Sequence, residues 1–552
     1  MRPSPSSTGR VVQFLGPKPY PPRVAVCEPT SSHGGRLAAL VRGRRLWFIA
    51  FLGFFMISTA WALAMPFGGV PDEGNYITRA AGAGRGEFLG ELASSAEGAG
   101  AFHHVKRGLM VDNMCWQGNA QKSAECGLQP TGKDDIVRLH TTAGRYPPAY
   151  FAAVGWPLTI WPTWTGIWLA RLIGAAIASA FLASAMFAAV RWTRHPLLPA
   201  AVIVAVTPIT LHISGGVNPN GVEIAAGLAF MVGLAAIALD RRPTAPPAVY
   251  TLIGVSALTL TAVRPFGPLW TLAIIGICFV PTTRKRLRRV LTNRRVLAWL
   301  AALAVVLIAS VTWSIAVETG KPGWVAAMDI TPEEALRVEL FGRLQQYANE
   351  MVGVMSWLDA PLPGLAYVAW FMAFGLLFLG GFALGEWHYR WRIAALTLAA
   401  FGVMVIPDAL NARTYGFYAQ GRYVLPIAVG LPILAAYALG ERRALVGTQA
   451  RSIIRTFALL LIPIHFLALY NTMLRWQYGI RWPKIKVNPF HGEWLPRLGP
   501  ELPLALGAVG VLVLLVTAWA VSSAVHPAEP RTDDQSDADD RVALASSRAA
   551  TA

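Results

Sequence analysis

Side chains that hydrocarbon would reject gather beside long apolar stretches of this 552-residue chain, and their types suggest chemistry. Pro71-Asp72-Glu73 follows the first apolar stretch. At the lip of a membrane cavity either carboxylate would serve as general base, taking a proton from an acceptor hydroxyl. The plainer alternative is a helix start, where Pro is pre-organised and acids gain about 0.3 to 1 kcal/mol from the helix dipole. Gln420-Gly421-Arg422-Tyr423 opens a later stretch. Its Arg fork matches two phosphate oxygens and Gly421 admits a ligand to the backbone; equally, Arg422 snorkels to the interface and Tyr423 joins an aromatic belt. Asn218-Pro219-Asn220-Gly221 is a turn signal, with Glu223 either capping the next helix or facing the same polar space. Arg145-Tyr146-Pro147-Pro148 reads as a rigid re-entry into the membrane or as a substrate wall. Arg264 and Asp359 stand at the ends of other stretches, His212 lies near the Asn218 turn, and Asp408, Asn411 and Arg413 come shortly before Gln420. Arg171, in mid-stretch, calls for an internal partner, because a charge at bilayer centre costs roughly 2.5 to 3.5 kcal/mol.

These groups need a frame, and composition says what kind. Hydrophobic residues make up 54% and charged ones 14%, against roughly a quarter charged in soluble domains, which excludes a water-soluble enzyme. About twelve stretches are long enough to cross roughly 30 Å of hydrocarbon as helices. They are 46–64, 163–190, 197–213, 221–239, 247–263, 266–281, 296–317, 364–385, 393–410, 423–439, 453–473 and 502–524. The expected fold is all-α, a polytopic transmembrane helix bundle over 45–525. It has a long first extracytoplasmic loop at 67–148 and further outer loops at 318–363 and 474–501. Within the second of these, 332–350 has apolar residues at helical spacing after Pro332, Glu333 and Glu334, and is expected to lie along the membrane surface. Residues 1–40, rich in Pro, Ser, Gly and Arg, and the acidic 526–552 read as disordered cytoplasmic tails.

Charge orients the bundle. Arg42, Arg44 and Arg45 precede the first stretch. Short loops on the same side carry Arg191/Arg194, Arg241/Arg242, Arg390/Arg392, Arg442/Arg443/Arg451/Arg455 and the run Arg284, Lys285, Arg286, Arg288, Arg289, Arg294, Arg295. The asymmetry keeps both termini in the cytoplasm and puts the polar groups at the outer face. It also assigns the net charge of +18 to the lipid bilayer, not to nucleic acid. Of four cysteines, Cys115 and Cys126 share one outer loop; a disulfide between them would restrict the unfolded chain by about 3 kcal/mol, two free thiols being the alternative. There is no zinc motif and no Gly-rich nucleotide loop, so no cofactor is expected, with a divalent metal left open.

Six motifs occur in order: Val70-Pro71-Asp72-Glu73, Arg145-Tyr146-Pro147-Pro148-Ala149-Tyr150, Ala170-Arg171-Leu172, Val217-Asn218-Pro219-Asn220-Gly221-Val222-Glu223, Trp357-Leu358-Asp359-Ala360-Pro361-Leu362-Pro363 and Gln420-Gly421-Arg422-Tyr423-Val424-Leu425-Pro426. Over about residues 45 to 475 the chain resembles the bacterial membrane family called domain of unknown function 2142, and its Ala-, Arg- and Trp-rich wording is similar to the actinobacterial branch. That family looks like a relative of the GT-C membrane glycosyltransferases. The resemblance implies a GT-C-like bundle in the bacterial cytoplasmic membrane, a polyprenyl-phosphate sugar as donor and a cell-envelope glycan or glycolipid as acceptor. It also implies an acid in the first outer loop, here Asp72 as base with Glu73 orienting it, or the reverse. By its chemistry Arg422 would hold the donor phosphate, with Arg264 or Arg145 in support. Gln420, Tyr146, Asn218, Asn220, Glu223 and Asp359 are the remaining candidate substrate-binding residues. The same polar groups would also suit a transporter or flippase for an envelope lipid or glycan, although no two-fold repeat marks the chain. A non-catalytic membrane scaffold would leave the buried charges without a task.

Overall fold

The computed structural model describes residues 41–110, 114–193, 195–240, 246–320, 326–441, 447–481 and 486–524. The tails 1–40 and 526–552, with Arg194, Arg241, Arg242, Arg442 and Arg443, fall outside the described residues.

Lipid offers no hydrogen bonds to a backbone, so apolar stretches of this length close their own as helices. In chain order the described helices begin with α1 (Arg45–Ala64) and α2 (Glu73–Gly84), followed after an outer sheet by α3 (Ala149–Ile160) and α4 (Trp164–Arg191). Next come α5 (Leu198–Ala205), α6 (Pro208–Ser214), α7 (Pro219–Ala238), α8 (Ala248–Val263), α9 (Gly267–Phe279), α10 (Arg284–Leu291) and α11 (Arg294–Ala316). Then α12 (Pro332–Arg337) runs through a π-helical stretch (Val338–Arg343) into α13 (Leu344–Gly353). The chain ends in α14 (Gly364–Leu384), α15 (Trp387–Tyr415), the short α16 (Leu425–Ala428), α17 (Gly430–Glu441), α18 (Gly447–Tyr478) and α19 (Glu501–Ala524). Among the described residues eight helices, α1, α4, α7, α11, α14, α15, α18 and α19, are long and apolar enough to cross a membrane.

The other four expected spans are shorter or broken. Stretch 197–213 splits into α5 and α6 just before Pro208, which disfavours helix at the preceding residue. Stretch 423–439 begins as a 3-10 turn at Gly421–Tyr423 and becomes α16 and α17. The hairpin 247–281 is two short helices of 16 and 13 residues, meeting at Arg264.

Every residue of α7 is buried, which places this helix, apolar all round beyond Glu223, at the centre of the bundle. Gly227 is the close-approach point: a Cβ there would overlap the Pro426 carbonyl, so the backbone of α16 lies directly on α7 one turn beyond Glu223. That contact carries the Arg422 turn to the Asn218 end of α7.

The segment 67–148, expected as a loop, is more than that. It holds α2 and an antiparallel sheet in the order β1 (Glu91–Ala93), β2 (Gly100–Lys106), β3 (Ile136–Thr141), with Phe102 opposite both Glu91 and His140. Cys115 and Cys126 are joined by a disulfide in the loop between β2 and β3. The helix expected over 332–350 is present, opened by a capping box between Thr331 and Glu334. Its outward face leaves Phe341 88% exposed.

Candidate active site

The chain that leaves α1 is held by one arginine. Arg171, fully buried in mid-α4, donates to the carbonyls of Ala62, Met65 and Pro66 at 2.8, 3.2 and 2.8 Å, supplying acceptors' partners that a helix C-terminus otherwise lacks. Its remaining donors reach Glu73 Oε1 and Oε2 at 2.8 and 2.7 Å. Oε1 of Glu73 also accepts from the Val217 amide at 2.9 Å. Arg171 thus has the internal partner that its position demanded. Glu73, with a side chain of no exposure, is committed to joining α1, α4 and the Asn218 turn.

Asp72 is different. Its φ of 65° puts a non-glycine residue in the left-handed region, at a cost of order 1 to 3 kcal/mol that surrounding structure must hold in place. Asn218 supplies part of that hold, donating through Nδ2 to the Pro71 carbonyl at 3.0 Å while its Oδ1 accepts the Asn220 amide at 3.0 Å. The Asp72 carboxylate accepts from Arg422 Nη2 at 2.7 Å and stays 35% exposed, whereas Arg422 is fully buried. Neighbouring acids therefore have opposite settings, one sealed in the core and one open to a cavity.

That cavity has a volume of about 420 Å³, and Asp72, Tyr76, Tyr146, Arg264, Asn411 and Tyr423 are on its wall. Burial holds the Tyr76 phenol well above the usual tyrosine range, so it remains a donor at neutral pH. Arg264, the residue that ends α8, donates to Glu223 Oε2 at 3.0 Å, and the same oxygen accepts from Asn220 Nδ2 at 3.0 Å. The ring of Tyr423 has a guanidinium near it on two counts, Arg422 at 4.9 Å and Arg264 at 5.2 Å from its centroid. Both cations keep capacity to spare: Arg422 Nη1 and Arg264 Nε are buried without a partner. Asp72 and Arg264 on the wall, each paired with a fully buried partner, Arg422 and Glu223, can bind an anion while leaving an oxygen base beside it.

Arg422 is aimed by its own neighbours. Gln420 Oε1 accepts from its Nε at 2.6 Å. Gly421 donates its amide to Glu350 Oε2 at 2.6 Å, and a Cβ at Gly421 would overlap the Tyr347 carbonyl. Only glycine lets this turn seat on α13. Burial raises the Glu350 carboxyl, against the lowering effect of the Gly421 and Gln346 hydrogen bonds. Just before this turn a buried cluster fixes the chain: Arg343 Nη1 bridges Glu339 at 2.7 Å and Asp408 at 2.8 Å, and Asp408 Oδ1 accepts the amides of Tyr418 and Ala419. Tyr347 completes it by donating to Glu339 Oε2 at 2.7 Å.

The structure puts Asp72, Tyr146 and Arg264 on the cavity wall and links Arg422, Gln420, Asn220 and Glu223 to them by hydrogen bonds. Arg145 and Asp359 are neither on the wall nor in that network. Arg145 donates to the carbonyls of Gly100, Ala93 and Glu318, bracing the outer sheet. Asp359 pairs with Arg475 at 3.1 and 2.6 Å, and Arg475 also donates to the carbonyls of Trp116, Asn119 and Lys122, clasping the disulfide loop. Among the described residues no three His, Cys, Asp or Glu side chains come together in a metal-binding group. Sequence reading missed Glu339, Arg343, Tyr347 and Glu350, although their spacing of 4, 4 and 3 puts them on one helix face. That polar stripe inside an otherwise apolar period was the available signal.

The family model described as "Predicted membrane protein (DUF2142)" matches residues 54–431, and the chain belongs to that family of membrane proteins. No curated protein sequence matches it. Among solved structures it is similar to ArnT from Cupriavidus metallidurans. The form bound to undecaprenyl phosphate is 12% identical, over 87% of this chain and 78% of that one, with a TM-score of 0.39. The apo form is 14% identical, over 84% and 75%, with a TM-score of 0.36.

Proposed function

We propose that this membrane protein is an inverting glycosyltransferase of the bacterial cytoplasmic membrane, with both termini cytoplasmic. It would move a sugar from a polyprenyl-phosphate donor to a hydroxyl of an extracytoplasmic cell-envelope acceptor. The reading rests on one observation: a strained, solvent-accessible carboxylate, Asp72, paired with a fully buried Arg422 that retains an unused donor, at the wall of a cavity that also holds Arg264.

In this mechanism the donor phosphate competes with Asp72 for the Arg422 guanidinium, and Arg264 adds a second positive charge. As phosphate takes the fork, Asp72 is released to accept a proton. The acceptor oxygen bonds to the anomeric carbon from the face opposite the phosphate, the carbon–oxygen bond to phosphate breaks with its electron pair, and the acceptor proton passes to Asp72. Fixed cations at the leaving phosphate supply the larger electrostatic contribution, and base catalysis contributes on the order of 10² to 10⁴ in rate. Tyr76 and Tyr146 offer apolar faces with polar tips to the sugar. The buried Glu73 orients Asp72 only through the backbone they share.

The test is transfer from radiolabelled polyprenyl-phosphate sugars to envelope acceptors by the purified full chain in nanodiscs. Asp72→Asn and Arg422→Ala are each expected to lower transfer at least a hundredfold. Undiminished transfer in both variants overturns the assignment, and donor uptake into vesicles without transfer supports a transporter instead.

A further inference from the structure

At the end of the bundle opposite Asp72, a second cavity lies between α7, α8, α9 and α11, beneath α10. The two are joined by α8, which begins at one and ends in Arg264 at the other. The second cavity has a volume of about 200 Å³ and an apolar wall that includes Phe230, Ala257 and Leu303. Tyr250 and Trp299 also line it, and the indole of Trp299 lies so close on Gly254 that a Cβ there would overlap it. Leu287, Val290 and Leu291 of α10 form its cover. Above this apolar space Arg284 and Arg288, with Arg294 and Arg295 at the start of α11, are exposed. No Asp or Glu occurs in the sequence between Asp240 and Glu318, and among the described residues none of these four arginines pairs with a carboxylate.

We propose that this is a binding site for one anionic glycerophospholipid, its acyl chain in the cavity and its phosphate among Arg284, Arg288, Arg294 and Arg295. The order of chemistry along the bundle matches the anatomy of such a lipid. Basic residues stand outermost, the aromatic pair Tyr250 and Trp299 comes next at the level where aromatic belts form, and purely apolar wall follows. From Tyr250 to Ala257 the wall spans about 10 Å along α8, which fits the glycerol-proximal part of an acyl chain. A zwitterionic lipid could fill the same space with its tail, but only a net negative headgroup gains from an uncompensated basic cluster. Basic pockets between transmembrane helices on this side of a membrane are where anionic headgroups are recognised. The proposal does not depend on the glycosyl-transfer reading.

It is tested on the full chain in phosphatidylcholine nanodiscs with and without phosphatidylglycerol. Native mass spectrometry reads the retained lipid, and a phosphatidylglycerol with a photoreactive acyl chain reads its location. One phosphatidylglycerol per chain should be retained in preference to phosphatidylcholine, with label on the peptides spanning Tyr250 to Ala257 or Trp299 to Leu303. Replacing two exposed charges, Arg284→Gln with Arg288→Gln, should weaken retention about thirtyfold at about 1 kcal/mol for each residue near the surface. Both positions are on the surface, so the fold is untouched. Equal retention of phosphatidylcholine, label spread over the lipid-facing helices, or unchanged retention in the double variant each overturns the proposal.

Discussion

Asp72 and Glu73 are adjacent acids, and the structure predicts opposite outcomes when each is neutralised. Glu73→Gln removes the negative charge from a pair with no exposed side-chain surface on either partner. Arg171 keeps its three carbonyl acceptors but loses its counter-charge, and stranding one ion of a buried pair costs about 3 to 5 kcal/mol. Asp72→Asn breaks a pair with one partner 35% exposed, where solvent screening limits the loss to about 1 kcal/mol. Asn also tolerates the left-handed backbone at position 72 better than most residues. The gap between the variants is therefore about 2 to 4 kcal/mol in stability, with activity ordered the other way. The assay is the half-life of the folded species in detergent at one elevated temperature, followed by gel filtration, run beside a transfer assay on protein never heated. Glu73→Gln should shorten the half-life at least tenfold, about 1.4 kcal/mol of the loss appearing in the unfolding barrier. Asp72→Asn should keep the half-life within about twofold of the parent and lose transfer at least a hundredfold. A Glu73→Gln protein as long-lived as the parent but inactive, beside an active Asp72→Asn protein, would refute the reasoning and exchange the two roles.

Glu350→Gln preserves an oxygen for the Gly421 amide and should leave transfer within about threefold of the parent. Glu350→Leu strands that amide at about 1 to 3 kcal/mol and should raise the KM for donor more than it lowers kcat; equal kinetics for both variants would sever Glu350 from Arg422. Burial holds His103 in β2 down at about 4, below the ordinary 6.5, so the folded state resists a proton that the unfolded state takes up. Its contribution is present above pH 6.5 and lost as pH falls towards 4, by up to about 3 kcal/mol. Hydrogen exchange in Gly100–Lys106, corrected for intrinsic rate, should show weaker protection at pH 4.5 than at pH 7.5, and His103→Gln should flatten that difference. Reducing Cys115–Cys126 releases a short loop worth about 3 kcal/mol in unfolded-state entropy. Because Arg475 grips three carbonyls of that loop, proteolysis there should rise sharply in the reduced protein and further in Asp359→Asn.

The bundle was legible in the sequence because lipid exposure leaves no room for ambiguity: a long uncharged apolar run can satisfy its backbone only as a helix. The outer sheet was not, because β2 carries His103 and His104 where a half-buried strand would show simple alternation, and the register with β3 is set by pairing that no local pattern encodes. The candidate site was legible as a set of residue types at one membrane face, with Arg422 first and Arg264 or Arg145 in support, but sequence could not tell which of these two reaches the site and did not single out Arg475. A guanidinium has five N–H donors, and what separates these arginines is how many the fold has already engaged. Arg171 makes five hydrogen bonds, to three carbonyls and both oxygens of Glu73. Every nitrogen of Arg475 is likewise engaged, by three carbonyls and Asp359, and each nitrogen of Arg145 meets a carbonyl. Such groups hold the frame and have little left for a ligand. Arg422 and Arg264 each keep a buried nitrogen without a partner, a cost of about 1 to 3 kcal/mol apiece that an anion entering between them would relieve. An unpartnered nitrogen alone does not mark the site, because Arg79 Nε is also buried without one while its other nitrogens hold the carbonyls of Glu87, Phe88 and Tyr146; what singles out Arg422 and Arg264 is that each also pairs with a carboxylate, Asp72 or Glu223, a distinction that depends on where helix ends meet in space and so appears only in three dimensions.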